Sequence, residues 1–474
     1  MAFPTIIQGG MGVAISHWGL ARTVSQLGQL GVVSGTGVSR VLVSRLMDGD
    51  VGGHMRRALS AFPFQDTAQE ILKRYFVAGG KASDQPYKAT PVPTLHPPKF
   101  LDALTVAANF VEVFLAKEGH GGLVGMNLLE KVQLPTMASL YGAMLAGVDY
   151  VLMGAGIPTQ IAGILDRLAK HLAVKYRVDV VGASQDDSYT LGFDPQDIFS
   201  DQVPTLPLRR PQFLPIIASV VLAQALIKRS EGSIDGFIVE GPTAGGHNAP
   251  PRGAPRFNER GEPVYGEKDV VDLDKIKLLG RPFWLAGEYG HPERLKQALE
   301  AGAAGVQVGT AFALCNESGL DVEFKQALIR KAVLGEADVL TSAVISPTGF
   351  PFKVARLEGT LSEAEEYEKR PRICDFGFLR TIYKKADGTL GYRCPAEPVD
   401  DYVAKGGKAE DTVGRSCLCN NLIATAGFPQ VRKNGYVELP VITTGDDLVN
   451  VGRLLAPGQT SYSAANVIAY LLGE

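Results

Sequence analysis

The chain has 474 residues, 45% hydrophobic and 20% charged, an ordinary globular balance with room for one large domain with insertions or for two or three domains. A net charge of −3 and a pI near 6.2 argue against a polybasic binder of nucleic acid or membrane surfaces. No stretch approaches the roughly 18 consecutive apolar residues of a membrane span, the segment Met1–Gln8 lacks a basic n-region and a signal core, and the five cysteines are too few for a secreted disulfide framework, so a cytoplasmic location is expected.

Short apolar runs recur along the chain, most of them ending in glycine. Thr5–Gln8 ends in Gly9-Gly10-Met11-Gly12, and Leu30–Ser34 ends in Gly35-Thr36-Gly37. Residues 38–100 interrupt the pattern; they read as largely helical and then proline-rich, with Pro86, Pro91, Pro93, Pro97 and Pro98. Asp102–Lys117 carries apolar residues at 103, 104, 106, 107, 110, 111, 114 and 115, which is helical spacing. A third strand is predicted over Leu123–Leu128, a helix over Thr136–Ala146, and a fourth strand over Tyr150–Met153 before Gly154-Ala155-Gly156.

A second insertion, residues 173–213, contains two alternating runs, Tyr176–Val181 and Ser188–Phe193, split by Gln185-Asp186-Asp187, and predicts an appended β-hairpin. Pro215–Val220 and Gly236–Glu240 are the fifth and sixth strands. The segment Asn248–Asp274 is rich in Pro, Gly and charge, long enough for an ordered lid or an interface arm. Phe283–Ala286 with Gly287, a helix over Pro292–Ala301, and Gly305–Val308 with Gly309-Thr310 complete the series.

Eight strand–helix alternations fit a (β/α)8 barrel or a long doubly wound sheet. Glycine turns at many strand ends favour the barrel, whose site is built from several βα loops on one face. A doubly wound dinucleotide fold calls for one dominant G-x-G-x-x-G after the first strand, a spacing that Gly9-Gly10-Met11-Gly12 lacks.

The sixth strand runs into Gly241-Pro242-Thr243-Ala244-Gly245-Gly246-His247. Adjacent glycines let a backbone approach a planar or phosphorylated ligand closely. A histidine directly after them can exchange a proton with that ligand. A tight turn followed by a surface histidine is the plain alternative. The other six histidines, at 17, 54, 96, 120, 171 and 291, have no such context and are expected to be structural or exposed.

Together the motifs resemble the nitronate monooxygenase (2-nitropropane dioxygenase) family of FMN-dependent TIM barrels, which includes flavin-dependent enoyl-acyl-carrier-protein reductases. The resemblance covers residues 5 to about 357 outside the two insertions. It rests on Ile7-Gln8-Gly9-Gly10-Met11-Gly12, Gly125-Met126-Asn127-Leu128-Leu129, Glu240-Gly241 with Ala244-Gly245-Gly246-His247, Gly305–Phe312, and Ser346-Pro347-Thr348-Gly349-Phe350-Pro351. The family often carries Gln where this chain has Glu240 and Glu where it has Thr243. The usual Ala-Gly-Gly-Ile turn after the seventh strand is Ala286-Gly287-Glu288-Tyr289-Gly290 here.

The resemblance implies FMN as cofactor, with His247 as catalytic base. It implies cofactor contacts at Gly9, Gly10, Met11, Asn127, Glu240, Gly245, Gly246, Ala286, Gly287, Gly309 and Thr310. Backbone N–H groups of Gly287, Gly309 and Thr310 would take the phosphate, as barrel phosphate sites follow strands seven and eight. Glu288, a carboxylate near that phosphate, is expected to point away. The implied reaction is oxidation of a nitronate or of a similarly activated carbon acid, with electrons passing to FMN and then O2. The alternatives are NAD(P)H-dependent reduction of an enoyl thioester in lipid or polyketide synthesis, and a non-catalytic flavoprotein subunit. The implied partners are a small-molecule substrate and, given the extra segments, a second copy in a homodimer, with no nucleic acid and no membrane.

Residues 1–357 are thus expected to form the FMN-binding barrel, and 358–474 a C-terminal extension packing on it. That extension holds Cys374, Cys394, Cys417 and Cys419. Four thiols could bind zinc or an iron–sulfur cluster; with no Cys-x-x-Cys pair, buried free thiols and no metal are the expectation. Cys315 is expected to be a packing residue.

Overall fold

The computed structural model describes residues 3–184 and 186–474; Met1 and Ala2 of the segment Met1–Gln8 and Gln185, which the sequence assigned to the split between two strands, lie outside the described residues. Eight parallel strands form one sheet. In chain order they are β1 (Ile6–Gln8), β2 (Gly31–Ser34), β3 (Val124–Leu129), β4 (Tyr150–Gly154), β5 (Gln212–Ile217), β6 (Phe237–Glu240), β7 (Phe283–Ala286) and β8 (Gly305–Val308). Each pairs with its sequence neighbour, and β8 pairs with β1. A parallel bridge from Ile7 to Leu30 closes β1 on β2, with Gln8 N–H bonded to Leu30 O and Leu30 N–H to Ile6 O. The result is a (β/α)8 TIM barrel.

Alternation along the strands builds two apolar layers. Ile7, Val32, Leu152, Leu214, Ile238 and Trp284 fill the barrel interior. Ile6, Val33, Met126, Val151, Phe237, Phe283 and Leu285 point outward into the shell of helices. Trp284 is fully buried, and its indole N–H donates to Pro4 O at 2.8 Å, so the end of the barrel away from the glycine turns is filled.

The fifth strand ends earlier than the apolar run suggests. Ser219 accepts a hydrogen bond from Leu222 N–H at 3.1 Å and caps a helix over Val220–Arg229, so Val220 is helical rather than extended. The helix expected from Asp102 starts at Lys99.

Within 38–100, helices span Val38–Met47, His54–Ala61 and Gln65–Tyr75. In the second insertion, Val174–Arg177 pairs antiparallel with Thr190–Phe193. Val180–Val181 leaves that hairpin and pairs in parallel with Thr381–Lys384, which belongs to a hairpin with Leu390–Arg393. The C-terminal segment also returns to the barrel shell: helix Ala464–Leu472 packs on helices Trp18–Gln26 and Pro292–Glu300. No helix among the described residues is long and apolar enough to cross a membrane.

Candidate active site

The glycine-rich ends of the strands open into a cavity of about 1640 Å3, counting the space at its mouth. Period-2 alternation dictates its floor. One inward residue at the top of each strand or just beyond it lines the cavity: Gly9, Ser34, Asn127, Gly154, Ile216, Glu240, Ala286 and Gln307. Small residues leave the room, while Asn127, Glu240 and Gln307 supply the larger polar groups. All twelve residues singled out in the sequence line this one cavity: His247, Gly9, Gly10, Met11, Asn127, Glu240, Gly245, Gly246, Ala286, Gly287, Gly309 and Thr310.

The first turn is held by a buried amide. Gln8 accepts from Val32 N–H at 3.0 Å and donates to Ser16 Oγ at 2.7 Å. Ser16 Oγ donates to Gly9 O at 2.8 Å and accepts from Met11 N–H at 2.9 Å. This arrangement presses Gly10 against Asn127, whose Nδ2 donates to Gly10 O at 3.0 Å. A Cβ on Gly10 would stand 2.2 Å from Asn127 Cβ, so only glycine fits there.

His247 is partly buried. Its Nε2 lies 2.7 Å from Ser346 Oγ, and Ser346, itself fully buried, is 2.8 Å from Thr348 Oγ1. Phe352 packs on the imidazole edge-to-face at 4.8 Å. The loop is zipped to strand Phe352–Ala355 by Asn248 N–H to Pro351 O at 2.9 Å and Lys353 N–H to Gly246 O at 3.0 Å. Burial lowers the His247 pKa to about 4, so the ring is neutral at pH 7 and able to accept a proton. Glu240 has no cation or hydrogen-bond partner among the described residues, and burial pushes its carboxyl up to about 8. It is therefore a neutral acid at pH 7 and can donate a hydrogen bond, as an amide does.

Glu288, the carboxylate of the turn after β7, lies at the edge of the site. It borders the cavity while remaining exposed, in a left-handed turn with φ of +95° at Gly287 and +56° at Glu288. Partial burial and the charges of Asp446 and Asp447 raise its pKa.

The sequence reading missed the contribution of the C-terminal segment. Thr443, Thr444, Gly445 and Asp447 line the cavity, as do Phe378, Leu379, Leu418, Cys419 and Leu422. Thr443 Oγ1 accepts from Gly246 N–H at 2.9 Å, and Gly445 N–H donates to Thr310 Oγ1 at 2.8 Å. Gly245 and Gly445 meet backbone to backbone, leaving no space for a Cβ at either. The available signal was Thr443-Thr444-Gly445-Asp446-Asp447, a turn cluster directly after the apolar Val441-Ile442. Gln307 was missed as a site residue although its strand was identified; alternation would have turned it inward.

Three buried oxygens in the cavity wall have no hydrogen-bond partner among the described residues: Asn127 Oδ1, Gln307 Oε1 and Thr444 Oγ1. Orphaned buried acceptors are costly unless a ligand or water supplies donors. The remaining histidines do not line the cavity. His17 caps helix Trp18–Gln26 by accepting from Gly19 N–H at 2.9 Å, and His171 is buried against Tyr141 at 2.8 Å. Cys315 is fully buried, and among the described residues no group of His, Cys, Asp and Glu side chains is arranged to hold a metal ion.

Residues 166–346 match the nitronate monooxygenase family. A nitronate monooxygenase of Pseudomonas aeruginosa is 30% identical over 140 residues, covering 29% of this chain and 37% of that protein. A probable nitronate monooxygenase of Bacillus subtilis is 28% identical over 175 residues, 37% of this chain and 44% of that protein. The matched stretches thus span less than half the length of these curated relatives. Among solved structures, FabK from Thermotoga maritima superposes with a TM-score of 0.47 at 15% identity, covering 100% of this chain and 92% of that one. Nitroalkane oxidase from Streptomyces ansochromogenes also gives 0.47 at 15% identity, covering 99% and 95%.

Proposed function

We propose, for a chain whose residues 166–346 match the nitronate monooxygenase family, that it is an FMN-dependent oxidoreductase in which His247 takes the proton alpha to the activating group of a carbon acid such as a nitroalkane, whose conjugate base is the nitronate. The observation that carries this reading is His247, hydrogen-bonded to Ser346, in the wall of a cavity whose floor presents Glu240 and, among the described residues, the unpaired acceptors of Asn127 and Gln307. Residues 1–357 would form the catalytic barrel, and 358–474 would complete its cavity.

The residues present fit FMN. Its ring N3–H and ribityl hydroxyls are donors of the kind that Asn127 Oδ1, Gln307 Oε1 and Thr444 Oγ1 lack. Gly9, Gly10, Met11, Gly245, Gly246 and Ala286 would flank the flavin without obstructing side chains beyond that of Met11. Asn127 and protonated Glu240 would bond its polar edge. Backbone N–H groups of Gly287, Gly309 and Thr310 would hold its phosphate, as free N–H groups at strand and helix ends do. FMN bound there would supply a two-electron sink, emptied afterwards by O2.

His247 acts from a fixed orientation. Donating Nε2–H to Ser346 Oγ, with Ser346 donating onward to Thr348, leaves the Nδ1 lone pair as the base. Phe352 packs against the ring, and burial favours its neutral form before each proton transfer.

A second reading rests on the apolar wall of Val132, Phe378, Leu379, Leu418 and Leu422, which suits an acyl chain and favours an NAD(P)H-dependent enoyl-thioester reductase. The visible spectrum separates the readings under anaerobic addition of NADPH, NADH and a nitronate. Bleaching of oxidised flavin by the nitronate alone supports the oxidase. Bleaching by NAD(P)H alone supports the reductase. A flavin inert to all three supports a non-catalytic subunit, and a protein that cannot be reconstituted with FMN refutes the cofactor.

A further inference from the structure

We infer that Arg415 is a positioning residue for His247: it holds, from the C-terminal segment, the turn whose Ser346 hydroxyl orients the imidazole. The inference rests on the reading of His247 as the base. Ser346 Oγ lies 2.7 Å from His247 Nε2, so the backbone at residue 346 decides where the imidazole finds its acceptor. That backbone lies between strands Val339–Ser342 and Phe352–Ala355, and residues 414–416 hold it from outside. Arg415 Nη1 donates to Val344 O and to Ser346 O, at 2.6 Å each. Ser416 N–H donates to Ile345 O, between them, at 2.9 Å. Three consecutive carbonyls are thus fixed by two consecutive residues. The packing beside them is close, since a Cβ on Gly414 would stand 2.6 Å from Val344 Cγ2.

The holding residues are themselves fixed. Arg415 Nε donates to Asp411 O at 3.1 Å, so among the described residues its hydrogen bonds all go to carbonyl oxygens. A guanidinium suits this task, being planar, always charged and rich in donors, and its charge-assisted hydrogen bonds are stronger than neutral ones. Arg415 O in turn accepts from Tyr367 Oη at 2.9 Å and from Arg370 Nη2. Ser416 is fully buried and its Oγ donates to Asn421 Oδ1 at 2.8 Å. Asn421 belongs to helix Leu418–Thr425, whose Leu418, Cys419 and Leu422 line the cavity. One stretch of the C-terminal segment therefore supplies apolar wall to the cavity and sets the acceptor of its histidine.

The consequence for the imidazole is geometric. Without Arg415, the turn loses two of its three hydrogen bonds to residues 414–416. Ser346 Oγ then drifts from His247 Nε2, and nothing selects which ring nitrogen carries the proton. A base whose lone pair is presented only part of the time, or an ångström out of place, transfers protons more slowly without binding substrate less well.

The test reads His247 in the FMN-loaded full chain by NMR of isotope-labelled histidine nitrogens. Its signal among the seven histidines is identified by its loss in His247→Asn. The unsubstituted chain should show one tautomer, protonated at Nε2. Arg415→Ala should shift it toward a mixture, as Ser346→Ala does, and Arg415→Lys should restore the single form. With nitroethane as substrate, Arg415→Ala should lower kcat about tenfold with KM little changed. The double variant Ser346→Ala, Arg415→Ala should lose no more than Ser346→Ala alone, because both changes remove the same constraint. A mixture already present in the unsubstituted chain overturns the inference. So does a His247 signal unmoved in Arg415→Ala, or losses that multiply in the double variant. Hydrogen exchange of the Ser416 amide is read on the unsubstituted chain and does not depend on a variant folding: protection supports the clamp, and exchange as fast as in a free loop overturns it. Undiminished nitroethane turnover in His247→Asn, or none in the unsubstituted chain, refutes the reading of His247 as the base instead, and the tautomer comparison still decides the clamp.

Discussion

Replacing Glu240 by Gln tests the electrostatics of the cavity floor. The carboxyl has no partner among the described residues, and its pKa rises from 4.5 to about 8 because burial penalises the charge. Between those limits the folded protein holds a proton there that the unfolded chain has released, so stability falls as pH rises through this window. At about 1.4 kcal/mol per tenfold in proton affinity, the full shift corresponds to roughly 5 kcal/mol. Cavity water screens part of it, and about 2 to 3 kcal/mol is expected between pH 5 and 8. Glu240→Gln keeps the shape and removes the titration. Urea unfolding of both proteins should show similar stabilities near pH 4, with the variant gaining steadily up to pH 8 and its advantage level above that. A difference that stays constant from pH 5 to pH 9 would mean that Glu240 is already ionised at neutral pH, and the assignment of a neutral donor would be wrong.

Ser346→Ala removes the partner of His247 Nε2 at 2.7 Å. Loss of one orienting hydrogen bond, worth about 1 to 2 kcal/mol, should lower kcat roughly tenfold while the flavin spectrum is unchanged; an unaltered kcat would exclude the relay. Gly10→Ala places a Cβ 2.2 Å from Asn127 Cβ and 2.9 Å from Val32 Cγ1. Overpacking of this kind costs about 1 to 3 kcal/mol, and the displaced first turn should weaken FMN binding at least tenfold by fluorescence titration. Gly445→Ala puts a Cβ 2.8 Å from Thr243 O and 3.0 Å from Thr310 Oγ1. It should force residues 443–447 off the cavity and reduce FMN affinity, and wild-type affinity in this variant would show that the C-terminal segment is not part of the site. His247 has a pKa lowered to about 4 by burial, below its unfolded value of 6.5, so its contribution to stability is present above 6.5 and lost as pH falls toward 4. Thermal unfolding of His247→Asn should accordingly lose less Tm than the unsubstituted protein between pH 6.5 and 4.

Much of the barrel was legible because a buried strand is a local pattern. Phe283–Ala286 and Gly305–Val308 have the bounds their apolar runs suggest, and glycine follows each where the chain must turn over the cavity. The fifth strand shows the limit. Pro215–Val220 is as apolar as a strand, but Ser219 caps a helix there and the true strand begins at Gln212, whose register with Tyr150 comes from β4. His247 and the glycines before it could be singled out because their chemistry is carried by the residues themselves. That His247 is neutral and tied to Ser346, 99 residues away, depends on strand Phe352–Ala355 pairing back onto the loop. That Gly245 faces Gly445 depends on a segment remote in sequence returning to the barrel. Periodicity and turn residues are properties of a few neighbours along the chain, whereas burial, shifted pKa values and cavity walls are set by groups that only packing brings together.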